Sequence, residues 1–347
     1  MEDSADSGRN EAMKEPSRIL IRSPNWLGDV MLSLGAVRDL RRNFPSARIE
    51  VLARPSVADV YRAVREIDGV RLCPSFGEGV AVSRGFDAAL LLPNSFGSAL
   101  QVWRAGIPER WGYARDGRSL LLTRRAQVRQ GVRGVSEAYF YRALLAGLGL
   151  VVSADLDLSL ACPAEWRDRG QALLGRTGEW IGLNPGAAFG SAKRWLPERY
   201  AAVADALAER RGAHVVIVGS AAERPLADTI AQAMRRPARV LCGETSLSEL
   251  IGVLANLRLL VTNDSGPMHV AAALGVPVVA VFGPTDWRET APRGRDCRVV
   301  REEAECAPCK LRECPIDHRC MTAVSVARVL ATCEDLLGAT GAEGSTR

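Results

Sequence analysis

Lysine is almost missing from this chain. Of 45 basic residues only Lys14, Lys193 and Lys310 are lysine, and histidine occurs 3 times; arginine carries the rest. A lysine kept inside a motif therefore supplies what a guanidinium does not, a compact ammonium on a flexible stem. Long apolar runs are missing too. Val276–Phe282 is far shorter than the ~20 residues a membrane span needs. The polar N-terminus has no apolar signal core, so a cytoplasmic location is expected. Aromatics are 5% of the chain and the net charge is only +5. Neither suits a dedicated nucleic-acid binder. The phosphate loop G-x-x-x-x-G-K-[ST] and the dinucleotide turn G-x-G-x-x-G are both absent, which argues against a P-loop nucleotidase and a dehydrogenase.

What remains is ordinary soluble α/β material. The 347 residues suggest two domains at ~150 residues each. Residues 1–17 lack apolar periodicity and read as a disordered tail. Strands are expected at Arg18–Ile21, Ile49–Leu52 and Phe86–Leu92, with helices near Val30–Asn43, Val57–Arg65 and Ser136–Leu148. The alternation restarts after a polar break at Ala161–Gly178. Strands are expected at Trp180–Leu183, His214–Val218, Arg239–Leu241, Leu259–Thr262 and Val278–Phe282, with helices at Leu247–Asn256 and Pro267–Leu274. A last helix is expected over 324–337, then a flexible tail over 338–347. Strands alternating with helices predict two doubly wound parallel sheets, residues 18–165 and 178–323. Ligands bind such sheets at the carboxyl ends of the strands, where the loops after Arg22, Leu183, Val218 and Thr262 would gather.

Three of those loops have chemistry. Asn263-Asp264-Ser265-Gly266-Pro267-Met268-His269 passes from strand to helix; its free N–H groups and dipole make an anion site, or merely a well-capped corner. His269 is either near that ligand or packed. Asn184–Trp195 (NPGAAFGSAKRW) holds Gly186, Gly190, Ser191 and Lys193, which suits a diphosphate or a solvated loop cation. Gly219–Glu223 could place Glu223 on a ribose hydroxyl, or leave it complementing a helix dipole. In the N-terminal half, Asp29 opens a helix and reads as a cap or as a general base. Trp103–Arg133 carries eight arginines against Glu109 and Asp116, either a solvated loop or a face for an anionic acceptor or membrane. Cys306, Cys309, Cys314 and Cys320 fall within 306–320 around His318. Reduced thiols, a structural metal site and disulfides all remain open there.

Five segments in order, Pro24–Asp29 (PNWLGD), Leu92–Ala99 (LPNSFGSA), Ala105–Arg110 (AGIPER), Asn184–Trp195 and Asn263–Leu274 (NDSGPMHVAAAL), resemble the ADP-heptose:lipopolysaccharide heptosyltransferases. The nearest likeness is to the members that add the second heptose, and it runs from Arg18 to Leu337. The resemblance implies a GT-B fold, two Rossmann-like domains facing a cleft, and inverting glycosyl transfer with no catalytic metal and no cofactor. It implies ADP-L-glycero-D-manno-heptose as donor and the heptosyl–Kdo inner core on lipid A as acceptor. It places the catalytic base on Asp29 and the diphosphate lysine on Lys193. Gly186, Ser191, Glu223, Asp264, Ser265, Gly266 and His269 fall on the donor side, and Asn94, Arg115 and Arg118 on the acceptor side. Where some members carry hydroxyl residues before the lysine, this chain has Phe189-Gly190-Ser191. A lipid acceptor implies peripheral contact with the cytoplasmic face of the inner membrane, and no nucleic acid. The alternatives are transfer to another core acceptor, Kdo or a later heptose, and nucleotide-sugar binding without turnover.

Overall fold

The computed structural model describes residues 15–127 and 135–343, without the side chains of 339–343. Residues 1–14 and 344–347 of the two expected tails, and Arg129 and Arg133 of the arginine-rich segment, lie outside the described residues, whereas 338–343 of the expected C-terminal tail are helical. Six strands form the first sheet: β1 (Arg18–Arg22), β2 (Arg48–Ala53), β3 (Gly69–Leu72), β4 (Ala88–Leu91), β5 (Glu109–Tyr113) and β6 (Arg124–Ala126). Six more form the second: β7 (Trp180–Asn184), β8 (His214–Ile217), β9 (Ala238–Val240), β10 (Leu259–Asn263), β11 (Val278–Val281) and β12 (Cys297–Val300). Both are wholly parallel. Their orders are β3-β2-β1-β4-β5-β6 and β12-β11-β10-β7-β8-β9, the same doubly wound order used twice. The central strands are apolar because helices cover both faces. Ile19 pairs with Ile49 on one side and Ala88 on the other; Val261 sits between Leu183 and Val279.

Several expectations needed correction. The helix expected from Val30 starts at Leu27, and the one expected over Val57–Arg65 is a short 3-10 turn followed by Ala58–Arg62. The polar break at Ala161–Gly178 contains the helix Ala164–Leu174. Its polar residues face solvent while Trp166, Gly170 and Leu174 bury against the helix Leu247–Leu254. The last helix runs Val326–Glu343. At the N-terminal tail, Ser17 is held: its N–H and hydroxyl donate to Asp87 Oδ2 at 2.9 and 2.7 Å.

Two seams position the site. The extended segment after the helix Glu137–Gly147 lies across the first domain, where Arg38 donates to the Asp157 and Ser159 carbonyls at 2.6 Å each. Leu160 N–H then donates to Ala273 O at 2.8 Å in the second domain. Directly beside it, helix Leu27–Asn43 packs on helix Gly266–Ala273, and one apolar core includes buried residues of both, such as Val30, Leu34, Met268 and Val270. The domains therefore meet along two helices whose N-termini both open at the carboxyl edges of their sheets.

Candidate active site

Glycine lets the two N-termini meet. A Cβ on Gly28 would stand 3.3 Å from the His269 ring, and one on Gly266 only 2.8 Å from Leu27 Cβ. Asp29 sits one residue beyond Gly28, in the first helical turn. The cap position is Trp26, and no side-chain cap closes this helix end. The capping reading of Asp29 is therefore replaced by a half-buried carboxylate at the seam. Burial raises its pKa to about 6, and the nearby Lys193 ammonium opposes that rise. His269 is buried and pushed down to about 4 by desolvation, so it is a neutral imidazole at neutral pH.

The second domain supplies the cationic side. Asn263, at the end of β10, ties the Asn184–Trp195 loop to the sheet. Its Nδ2 donates to Pro185 O at 2.6 Å, and its Oδ1 accepts from Trp195 N–H at 3.0 Å and Tyr200 Oη at 2.8 Å. Lys193 ends a one-turn 3-10 helix, Ser191–Lys193. Its Nζ lies 2.6 Å from Asp264 Oδ2 and 4.9 Å from the Phe189 ring centroid. Asp264 Oδ2 also accepts from Thr285 at 2.7 Å and Thr290 at 3.3 Å. Asp264 thus holds Lys193, while the helix end after it is left open. Ser265 is the N-cap, but its hydroxyl turns to Asn184 Oδ1 at 2.6 Å and caps nothing. Such an uncapped N-terminus with an adjacent ammonium favours an oxyanion.

Gly186 is buried directly under Glu223: a Cβ there would fall 1.9 Å from Glu223 Oε1. Glu223 Oε2 meanwhile accepts from Ser220 N–H at 2.7 Å. Ser191 is exposed at the loop edge. On the first domain, Arg115 is exposed and Asn94 half-buried. Arg118 departs from the acceptor-contact expectation. It is fully buried, and its guanidinium donates to the Tyr113 carbonyl at 2.9 Å, the Pro93 carbonyl and Asn94 Oδ1 at 3.2 Å. It orients Asn94 and has no surface to offer. Arg110 is similarly committed to the carbonyls of Leu121, Ile107 and Pro108. The arginine-rich segment is thus in part a set of internal struts.

Two residues escaped the sequence reading. Glu137, half-buried at the start of its helix, has a raised pKa from desolvation, then from Asp29 and Glu289. It is a second carboxylate facing the seam. Arg194 follows Lys193, and its buried Nε has no hydrogen-bond partner among the described residues. The first carries no local signal beyond a helix start; the second was visible as a second cation in the loop.

Cys306, Cys309, Cys314 and Cys320 line one small pocket with His318, Pro284 and Ala192. All four are free thiols, against the disulfide reading. Among the described residues no group of three or more His, Cys, Asp or Glu side chains is placed to hold a metal ion. Among the described residues no helix is long and apolar enough to cross a membrane.

The family model for glycosyltransferase family 9 (heptosyltransferase) matches residues 81–319. The chain belongs to that family. This family 9 glycosyltransferase is 33% identical to lipopolysaccharide heptosyltransferase 2 of Escherichia coli K12 over 308 residues, 82% of this chain and 88% of the relative. It is 32% identical to lipooligosaccharide heptosyltransferase 2 of Haemophilus influenzae over the same shares. The solved E. coli ADP-heptose lipopolysaccharide heptosyltransferase II superposes with a TM-score of 0.82 at 30% identity, covering 93% of this chain and 99% of that one. The two Rossmann-like sheets are accordingly those of a GT-B enzyme.

Proposed function

We propose that this glycosyltransferase moves L-glycero-D-manno-heptose from ADP-heptose to the heptosyl–Kdo inner core of lipopolysaccharide, with inversion and without a catalytic metal. The observation that carries the reading is Asp29: a carboxylate with its pKa raised to about 6, at a seam where the opposite domain presents Lys193. The relatives named above support the donor and the acceptor class.

The chemistry follows from that placement. Asp29 takes the proton of the attacking acceptor hydroxyl as the oxygen bonds to the anomeric carbon. The bond from that carbon to the diphosphate oxygen breaks on the opposite face, so the anomeric configuration inverts. Charge then develops on the departing β-phosphate. Lys193 and the uncapped start of helix Gly266–Ala273 stabilise it there. Glu223 above Gly186 is suited to a ribose hydroxyl. Arg115 and the Asn94 amide, held by Arg118, face the acceptor side. Phe96 and Trp103 are exposed seven residues apart on one helix face, Leu120 is 91% exposed, and Arg104 lies 5.8 Å from the Phe76 ring centroid. This apolar and basic rim supports work against the anionic face of the inner membrane, where a lipid acceptor lies.

The test is Asp29→Ala. ADP-heptose should still bind with near-normal affinity while transfer is lost. Normal turnover in that variant would remove Asp29 from the mechanism.

A further inference from the structure

Lys193 stands on a single 3-10 turn, and most of that turn closes on itself. Gly190 N–H reaches Ala187 O, Lys193 N–H reaches Gly190 O, and Arg194 N–H reaches Ser191 O at 3.2, 3.3 and 2.9 Å. Ala192, buried in the middle, is different. Both of its peptide groups are taken by the cysteine-rich segment more than a hundred residues away. Its N–H donates to Arg312 O at 3.0 Å, and its carbonyl accepts from His318 Nε2 at 2.7 Å. A carbonyl only accepts, so Nε2 carries the proton.

The segment is built to reach there. A Cβ on Gly190 would fall 2.2 Å from Arg312 O, so only glycine admits the approach. Arg312 lies 5.4 Å from the centroid of the same Phe189 ring that Lys193 approaches. The segment is anchored in turn. Lys310 N–H donates to Pro284 O at 2.8 Å, and Lys310 Nζ lies 2.5 Å from Glu289 Oε2. Lys310 and His318 have φ of 56° and 57°, left-handed values uncommon outside glycine. Backbone held in this region persists only where its surroundings determine it. Here it aims the His318 ring at the Lys193 turn.

We propose that His318, together with the Arg312 carbonyl, is a positioning residue for Lys193, and that segment 306–320 is a clamp on the diphosphate loop. The inference rests on the reading of Lys193 as the leaving-group cation. A lysine on an unclamped single turn is free to follow Asp264 or solvent, whereas stabilising a departing oxyanion requires placement within a fraction of an ångström.

The experiment compares His318→Ala, His318→Gln, Lys193→Ala and the double variant His318→Ala/Lys193→Ala. Each is measured for kcat, for KM toward ADP-heptose, and for melting temperature. His318→Ala should lower kcat about ten- to a hundredfold, with KM within about threefold of the wild type. Glutamine keeps a donor on a side chain of similar reach, so His318→Gln should recover most of the rate. In the double variant the histidine change should add nothing, because the group it positions is gone. The clamp is overturned by a wild-type kcat in His318→Ala. It is overturned equally by a multiplicative loss in the double variant, or by a rate loss in both His318 variants that tracks melting alone. A Lys193→Ala enzyme at full rate would instead overturn the leaving-group reading itself, whatever His318 does.

Discussion

Replacing Asp29 with asparagine should make the fold more stable and slow the reaction by orders of magnitude. Burial moves this carboxyl from 3.8 to about 6. At 1.36 kcal/mol for each decade in acidity, holding it ionised in the fold costs at most about 3 kcal/mol. Asp29 is half-buried, and water screens part of that, leaving about 1–3 kcal/mol. The pH dependence fixes the sign. Below 3.8 the carboxyl is protonated in both folded and unfolded chains, and no cost exists. Between 3.8 and about 6 the unfolded chain releases its proton first, so the fold loses stability as pH rises. Above about 6 both states are ionised and the cost is complete. Asparagine keeps the shape without the charge. At pH 7.5 Asp29→Asn should therefore melt about 1–4 °C above the wild type, and at pH 4 most of that gain should vanish. Its transfer rate should fall by about 10²–10⁴ for want of a base. Equal melting at pH 7.5, or an undiminished gain at pH 4, would refute the burial argument.

Other expectations follow from the same contacts. Lys193→Ala should cut kcat by about 10²–10³. It should also move the acid limb of the residual rate upward, because the ammonium now holds the Asp29 pKa down; a limb unmoved would separate the two groups. Gly186→Ala puts a methyl 1.9 Å from Glu223 Oε1. It should raise KM for ADP-heptose about tenfold, near 1.4 kcal/mol, with little change in kcat; an unchanged KM would free Glu223 of any role in donor binding. Arg118→Ala strands the Pro93 and Tyr113 carbonyls, each costing about 1–3 kcal/mol. Denaturant melts should show that loss, and an unaltered midpoint would mean the guanidinium is dispensable to the fold.

The doubly wound pattern was legible because its central strands are buried on both faces and read as short apolar runs between Gly, Pro and Asn loops. The edges were not. In β5, Glu109 and Arg110 interrupt the run, and β3 is only half-buried; such strands carry little apolar signal. The helix start at Leu27 was missed because Trp26 offers no cap bond. The donor loops stood out through their punctuation, and the fold brings Lys193, Asp264 and His269 to the seam with Asp29. Arg118 misled because a buried arginine and a surface one are spelled alike. The hydrogen bond from His318 to Ala192 spans 126 residues, and no local pattern announces a contact that only the closed chain creates.

The most direct test offers ADP-heptose and excess EDTA with two purified acceptors, lipid A carrying Kdo alone and lipid A carrying heptosyl–Kdo. The account expects a single added heptose on the heptosyl–Kdo acceptor, at a rate EDTA leaves unchanged, with the anomeric configuration opposite to the donor's. Product on the Kdo-only acceptor alone, retention of configuration, or a rate abolished by EDTA would contradict it.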